Sequence, residues 1–479
     1  MTGRRSVAKT VALCCAGLIA LLVVASLAGY VLMRAAAAHK AQTALARLKA
    51  SGAPTTWAEI VPPPVPDDQN AAVVYDKAFA CLHITRFPPG TGPAPGRQSD
   101  EELLHRYLRF DGYAPTRAER KAMEADIVRI VVANSQALAL AREAAQRREC
   151  RFNRIWAGPP VMPPVSYVET SRLDHLSALV CAQAMLRADR GDAPGALEAL
   201  RVNLAIAKHQ ESHPFPRGVV YAHDAVERSL APLHCVLEVT SPDREGCTAL
   251  DRALRRLDLA SAQTCQVMNL RAAALDNLRA ARDARAVQIV PVLHYPLAAT
   301  RVMQTLHLPH RDGLYAPYAA VAPWDEAAFL AFWDKCIALQ GKPWREAGKE
   351  WLALYREPPQ WALLAQMSES LGANPLSRDL ALANSGLMRI ALGLHAYRGQ
   401  CGRYPGSLAE LRRTLGRALP TDPFSGTDFV YRREPRGYLL YSLGDDLDDD
   451  GGLGLHVVQD PRVKFRWRYD GDLVWRMDR

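Results

Sequence analysis

VALCCAGLIALLVVASLAGYVLM, from Val11 to Met33, runs for 23 residues without a charge. Because an α-helix rises about 1.5 Å per residue, this stretch is longer than the roughly 30 Å hydrocarbon core of a bilayer. It predicts a single transmembrane helix. The alternative is a cleavable signal peptide, with Arg4, Arg5 and Lys9 as its basic region and a cleavage site at 36–38. A signal core usually has about 7 to 15 apolar residues, which favours the uncleaved anchor.

Orientation is not decided by charge, because basic residues flank the apolar stretch on both sides. A short tail, residues 1–10, followed by a long C-terminal region is typical of a signal anchor. This form predicts a cytoplasmic tail and a body outside the cytoplasm. Eight of the ten cysteines lie outside the stretch at scattered spacing, which permits disulfides but favours unpaired buried thiols.

Composition indicates a globular protein of two or three domains, with 479 residues, 49% hydrophobic and 23% charged. Of the 59 basic residues 49 are arginine, and they form no stripe interleaved with stacking aromatic residues. The net charge of +9 therefore does not indicate a nucleic-acid partner. It bears on solubility and on contact with anionic membrane lipid.

Breaks in the helical pattern suggest how the chain is divided. Residues 34–66 are predicted to form a helical stalk followed by a polyproline spacer at 61–66. Residues 67–376 carry Ala-rich amphipathic patterns and predict a helical body of antiparallel hairpins, so the chain is assigned to the mainly α class. One hairpin, 173–209, resembles a tetratricopeptide unit, but no second copy follows at a 34-residue period. A plain antiparallel pair is the alternative.

The helical body contains no compact motif of a hydrolase, NTPase, zinc or redox site. Its candidates for a dispersed site are the pairs Asp174-His175 and His223-Asp224, together with His234. Neighbours on one helix point about 100° apart, so neither pair can clamp a ligand by itself. The body is therefore predicted to be non-enzymatic. An enzyme with a dispersed site is the alternative if these side chains converge.

The C-terminal residues 377–479 predict an α+β domain. Apolar residues from Leu380 to Tyr397 recur at steps of three and four, which predicts a helix ended by Gly399 and Gly402. Ser407 and Glu410 predict a capping box that opens a second helix. Strands are predicted at 429–433 and 438–442, and a final β-hairpin is predicted between 463 and 475, with its turn at Asp470-Gly471.

An acidic loop, 444–452, follows the second predicted strand. Asp446, Asp448 and Asp450, followed by Gly451, fit the Asp-x-Asp-x-Asp-Gly pattern of calcium loops. The EF-hand glutamate position is Val457, so other ligands must complete the site. The predicted structural Ca²⁺ ligands are Ser442, Asp445, Asp446, Asp448 and Asp450. A solvated acidic turn is the alternative.

Three motifs resemble the soluble domain of the type II secretion major pseudopilin: GRYP at 402–405, LPTDPFSG at 419–426 and YSLGDD at 441–446. The resemblance implies a long helix, a small antiparallel sheet and a calcium loop. A pseudopilin joins its membrane helix directly to this domain and has a glutamate at the fifth mature position. Here more than 340 residues intervene and the glutamate is missing, so a pilus subunit is not expected.

The layout resembles that of bacterial envelope proteins that carry this domain. We therefore expect an envelope scaffold or adaptor on the periplasmic side of the inner membrane, with lipid and a protein as partners and no nucleic acid. The alternatives are an accessory part of a type II secretion-like machine and the enzyme described above. An exposed apolar groove in the body would favour the adaptor.

Overall fold

A computed structural model describes residues 2–85, 98–109, 114–156, 167–282, 315–356, 373–454, 456–459 and 467–477. The first part of the predicted final hairpin, 463–466, lies outside these ranges. The described residues are mostly helical, with a small antiparallel sheet near the C-terminus. The ten cysteines are all free thiols.

The helices begin and end as follows: α1 Thr2–Ala50, α2 Trp57–Ile60, α3 Ala71–Ala80, α4 Asp100–Tyr107, α5 Arg117–Ala133, α6 Ser135–Ala144, α7 Tyr167–Asp189, α8 Ala193–Glu211, α9 Pro216–Arg228, α10 Leu230–Val239, α11 Arg244–Arg255, α12 Leu259–Arg282, α13 Tyr315–Gln340, α14 Trp344–Arg356, α15 Pro375–Cys401 and α16 Leu408–Leu415. The strands are β1 Val430–Glu434, β2 Gly437–Ser442, β3 His456–Gln459, β4 Trp467–Asp470 and β5 Leu473–Met477. The chain divides into two compact units.

The first unit comprises Met1–Glu59, Arg271–Lys335 and Pro358–Gln366. Its α1 continues without a break from the apolar stretch into the predicted stalk and ends at Ala50, where Gly52 takes a left-handed conformation (φ 73°). The buried guanidinium of Arg271 lies 3.5 Å from the carboxylate of Asp334 and donates to the carbonyl of Pro54. Helix α1 is therefore tied to the rest of this unit at its C-terminal end.

The second unit comprises Ile60–Leu270, Cys336–Glu357 and Met367–Arg479. At its centre, α7 and α8 form an antiparallel hairpin that turns at Gly191 (φ 81°), a conformation that favours glycine. Asp192 caps α8 by accepting a hydrogen bond from the Gly195 amide at 2.9 Å. The body thus has the hairpin that the sequence predicts at 173–209.

The caps of the C-terminal helices are as follows. Asn374 is the N-cap of α15, and Ser377 completes a capping box with it. The helix ends at Gly402 (φ 68°), the second of the two glycines predicted to stop it, and continues through Gly399. Ser407 caps α16 as predicted, but the Glu410 carboxylate accepts from the Gly406 amide at 2.6 Å, so the reciprocal half of the predicted box is not formed.

The sheet has the antiparallel order β1-β2-β5, while β3 pairs with β4 in a separate two-stranded ladder. The prediction of a final hairpin was wrong, because its two arms belong to different sheets. Every residue of β2 is buried, and β5 buries Val474 and Trp475. A strand this apolar is stabilised by pairing inside the core, so β5 lies beside β2, with Tyr441 opposite Val474.

The C-terminal segment packs directly on the helical body. Helix α15 lies against α9 and α11. The imidazole Nε2 of His234 in α10 lies 2.7 Å from the carbonyl oxygen of Arg476, and its ring is 5.4 Å from that of Trp475. Residues from 377 onward therefore share one compact unit with the body helices.

Candidate functional site

The acidic loop connects β2 to the second ladder and folds back on the turn before β5. Gly444 is left-handed (φ 73°), and a side chain there would meet the carbonyl oxygen of Gly471 at 2.6 Å. Leu447 is the non-glycine residue with a positive φ (68°) among those described. Such a conformation costs an L-residue on the order of 1 kcal/mol or more, so the surrounding contacts hold the loop in shape.

Asp446 is the predicted ligand that holds the loop to the turn. One of its carboxylate oxygens accepts from the Asp448 amide at 3.1 Å, and the other accepts from the Gly471 amide at 2.9 Å. Asp448 and Asp450 are exposed. Asp446 is thus bound at the base of the loop, while the other two carboxylates face solvent.

The two remaining predicted ligands lie nearer the sheet. Ser442 is buried, and its hydroxyl donates to the carboxylate of Asp422 at 2.6 Å. The carbonyl oxygen of Asp445 accepts from the indole N–H of Trp344 at 3.0 Å. Through these contacts the start of the loop is joined to the 421–426 turn and to α14.

Sequence reasoning missed Asp472, whose side chain is fully buried. Its Oδ2 accepts from the Gly452 amide at 2.8 Å, but Oδ1 has no hydrogen-bond partner among the described residues. Burial, together with the nearby carboxylates of Asp449, Asp450 and Asp446, raises the pKa of Asp472 to about 6, although the hydrogen bond from the Gly452 amide lowers it. The signal for Asp472 in the sequence is its position directly after Asp470-Gly471, but those two residues by themselves predict a hairpin turn and not a buried acid.

Asp449 was also missed. Its carboxylate accepts from the hydroxyl of Tyr441 at 2.9 Å and from the Gly451 amide at 3.0 Å. Burial and this hydrogen bond raise the pKa of Tyr441 to about 12, so the phenol stays a donor. Asp449, although exposed, therefore helps to fix the shape of the loop, at a position that the alternating aspartate pattern skips.

A cation site is supported by some of these features and not by others. Within the described ranges, no group of three or more His, Cys, Asp and Glu side chains is arranged to hold a metal ion. The feature that fits a cation is the orphaned oxygen of Asp472. A buried carboxylate oxygen without a partner is costly, and hard cations such as Ca²⁺ prefer oxygen ligands of this kind.

The three candidate histidines occupy three different settings. His175 lies 3.6 Å from the carboxylate of Glu101. His223 is buried, and neither of its ring nitrogens has a hydrogen bond to any residue that the structure describes; burial lowers its pKa to about 3, so the ring is neutral. His234 contacts the strand β5 as described above. Of the neighbouring acids, Asp174 pairs with Arg228 at 2.6 Å.

No family model, curated protein or solved structure matches this chain.

Proposed function

We propose that this chain is a single-pass membrane protein that holds a helical, non-enzymatic scaffold or adaptor outside the cytoplasm, on the periplasmic side of a bacterial inner membrane. The observation that supports it best is the exposure of α1. Its segment Leu13–Ala50 is the one span in the described residues long and apolar enough to cross a membrane, with a mean hydropathy of 2.4 and none of its most apolar window buried. An apolar surface this long is stable only in lipid or against another protein.

An aromatic contact near the C-terminal end of the apolar stretch supports a membrane boundary near Tyr30. The Tyr30 ring lies 5.6 Å from that of Trp324 in α13, within the same compact unit. Tyrosine and tryptophan are enriched at the membrane–water interface, where an apolar ring and a polar edge are both satisfied. Farther along α1, Ala37 and Ala41 are buried by protein, so the helix changes from lipid-facing to protein-facing within about two turns.

A binding role for the body is favoured over catalysis because the candidate catalytic side chains already take part in packing. His223 is neutral and enclosed, and His234 contacts a strand backbone. Asp174 is engaged by Arg228. These contacts stabilise a rigid surface, and a rigid surface is what an adaptor needs to bind a partner with little loss of entropy.

Membrane extraction tests the anchor. Full-length protein should stay in the membrane pellet after alkaline carbonate treatment. Replacing Leu22 and Val24 by arginine should release most of it, because each arginine in the middle of a span costs about 2.5 to 3.5 kcal/mol of insertion free energy. Ala46→Arg, at an exposed position of the same helix beyond the span, is the matched control and should remain in the pellet. Wild-type protein in the supernatant would contradict the proposal.

We also propose that the acidic loop binds a structural Ca²⁺, whose binding would draw Asp446 and Asp450 of the sequence-predicted set together with Asp472. The hydroxyl of Ser442 is engaged by Asp422, so it is left out of the set. Bound Ca²⁺ would neutralise carboxylates that repel one another. This repulsion is one cause of the raised pKa of Asp472. Its role would be to stiffen the connection between β2 and β5.

Melting curves of the full-length protein in detergent test this proposal. Calcium at ten times its dissociation constant adds about 1.4 kcal/mol of stability, so the melting temperature should rise by about one to two degrees over that in chelator. Asp472→Asn should remove the response. In chelator this variant should melt no lower than wild type, because the buried charge is gone while the acceptor for Gly452 remains.

Asp68→Asn, an exposed acid outside the loop, is the matched control and should keep the full calcium response. Equal melting temperatures of wild type with calcium and with chelator would contradict the calcium site and leave the acidic loop as a solvated turn. This outcome would not affect the membrane anchor, which the extraction experiment tests separately.

A further inference from the structure

A cleft of about 670 Å³ opens between α6 with the turn after it, α8, and the C-terminal end of α11. All of it lies within the second compact unit. Its cationic lining residues are Arg142, Arg147, Arg148, Arg201, Lys208 and Arg256. Glu198 is the acidic residue of the lining, and alanines at 145, 205 and 253 leave the space open.

Half of these cations are neutralised by acids and half are not. Arg147 pairs with Glu143 at 3.4 Å, Arg201 with Glu198 at 2.7 Å and Lys208 with Glu211 at 2.5 Å.

Arg142, Arg148 and Arg256 form no ion pair within the part of the chain that the structure describes. Three uncompensated guanidinium groups around one cleft repel each other, and an anion bound between them would remove that repulsion. Arg148 and Arg256 are exposed, so their charges are available to a ligand from solvent.

The Arg147 side of the cleft is held in place by a chain of hydrogen bonds that leads into the core. The Arg147 guanidinium donates to the carbonyl oxygens of Asp67 and Asn70. Its own carbonyl oxygen lies 2.9 Å from Nε2 of His209, whose Nδ1 lies 2.8 Å from the hydroxyl of Tyr75. Burial lowers the pKa of His209 to about 4, so the ring is neutral and serves as a support. The turn carrying Arg147 and Arg148 is therefore pre-organised.

We propose that this cleft binds a phosphate-bearing anion through Arg142, Arg148 and Arg256. Guanidinium groups are planar forks that match phosphate oxygens in pairs, which makes arginine-rich clefts selective for phosphate over monovalent anions. The volume falls within the roughly 300 to 1,000 Å³ of small-molecule sites and exceeds what a single orthophosphate fills. A soluble phosphorylated molecule and the headgroup of an anionic phospholipid both offer this chemistry.

Calorimetric titration of the full-length protein in a neutral detergent tests the proposal with two probes, inorganic pyrophosphate and a short-chain phosphatidylglycerol below its micelle concentration. We expect saturable binding of at least one of them that weakens as salt is raised. Stronger binding of pyrophosphate would assign a soluble ligand, and stronger binding of the phospholipid would assign a headgroup. Either result supports the site.

The double variant Arg148→Ala, Arg256→Ala should weaken binding by at least about tenfold, because charge-assisted hydrogen bonds are lost from two sides of the cleft. Arg244→Ala, an exposed arginine of α11 outside the lining, is the matched control and should bind like wild type. Both variants change exposed side chains, so we expect them to fold like wild type. Melting temperatures equal to that of wild type would show this.

Three results would overturn the proposal. One is the absence of binding by either probe at about 0.1 M salt, where surface charges are screened beyond about 10 Å. Another is equal affinity of the double variant and wild type. The third is binding of a single-stranded oligonucleotide that pyrophosphate does not displace, which would assign the charge to nucleic acid.

Discussion

Asp251→Ala should lower the free energy of unfolding by about 3 to 5 kcal/mol, the range found when one partner of a buried ion pair is removed. Asp251 is 1% exposed and lies in α11. Its carboxylate contacts Arg417 at 2.6 Å, Arg255 at 2.8 Å and Arg389 at 3.3 Å. Arg255 is well solvated and contributes little, so most of the loss comes from Arg389 and Arg417.

The effect is expected because Asp251 joins the helical body to the C-terminal segment. Burial lowers the pKa of Arg389, and the Asp251 carboxylate opposes that shift. Without Asp251, Arg389 stays charged in a half-buried site next to two other cations. Adding Arg389→Met to Asp251→Ala should therefore recover part of the lost stability, because it removes the orphaned charge.

Urea unfolding of the full-length protein in detergent measures these differences. Glu245→Ala, an exposed acid on the same helix, is the matched control and should change the free energy of unfolding by less than about 0.5 kcal/mol. A loss of that small size for Asp251→Ala would contradict the view that this cluster stabilises the contact between α11 and α15.

Features decided by short-range sequence were predictable. The apolar run of α1, the glycine that ends α15 and the hydroxyl cap at Ser407 are each set by a few neighbouring residues. The strands β1 and β2 followed from two short strand-forming segments and from the turn between them. In each case the residues that determine the structure are close neighbours in sequence, so a short window of sequence is enough to predict it.

Features that depend on contacts distant in sequence were not predictable. The pairing of β5 with β2 joins residues more than 30 positions apart, and the Asp-Gly turn before β5 favoured a local hairpin instead. Asp472 is buried only because Gly452 and the acidic loop fold over it. Asp251 gave no signal because its partners Arg389 and Arg417 lie over 130 residues away.

The basic cleft was missed for a related reason. Its arginines are spread over three elements, α6 with its turn, α8 and α11, so no single segment of sequence carries the charge of the cleft. Along the chain the basic residues form no stripe interleaved with stacking aromatic residues, yet in space six cations line one cleft. Side chains from separate helices converge only once α6 and α11 have packed against α8.

The anchor determines on which side of the membrane the body lies, so the body should lie on the same side in every molecule. If α1 is an uncleaved signal anchor, residues 2–10 stay in the cytoplasm and everything after Met33 is outside. The proline spacer at 61–66 offers a place to detect this, because Pro63 and Pro64 are exposed and lie outside the helices. A specific protease site inserted between them should be accessible wherever the body lies.

Cleavage by a membrane-impermeant protease in intact spheroplasts is the most direct measurement of the proposed topology. A site between Pro63 and Pro64 should be cut in intact spheroplasts, whereas the same site placed directly after Met1 should be cut only after lysis. The cut should be detected as two fragments on a denaturing gel, because contacts such as that of Arg271 with Pro54 hold the first unit together after the chain is cut. Protection of the Pro63–Pro64 site until lysis, or a mature N-terminus near Ala38, would contradict the account.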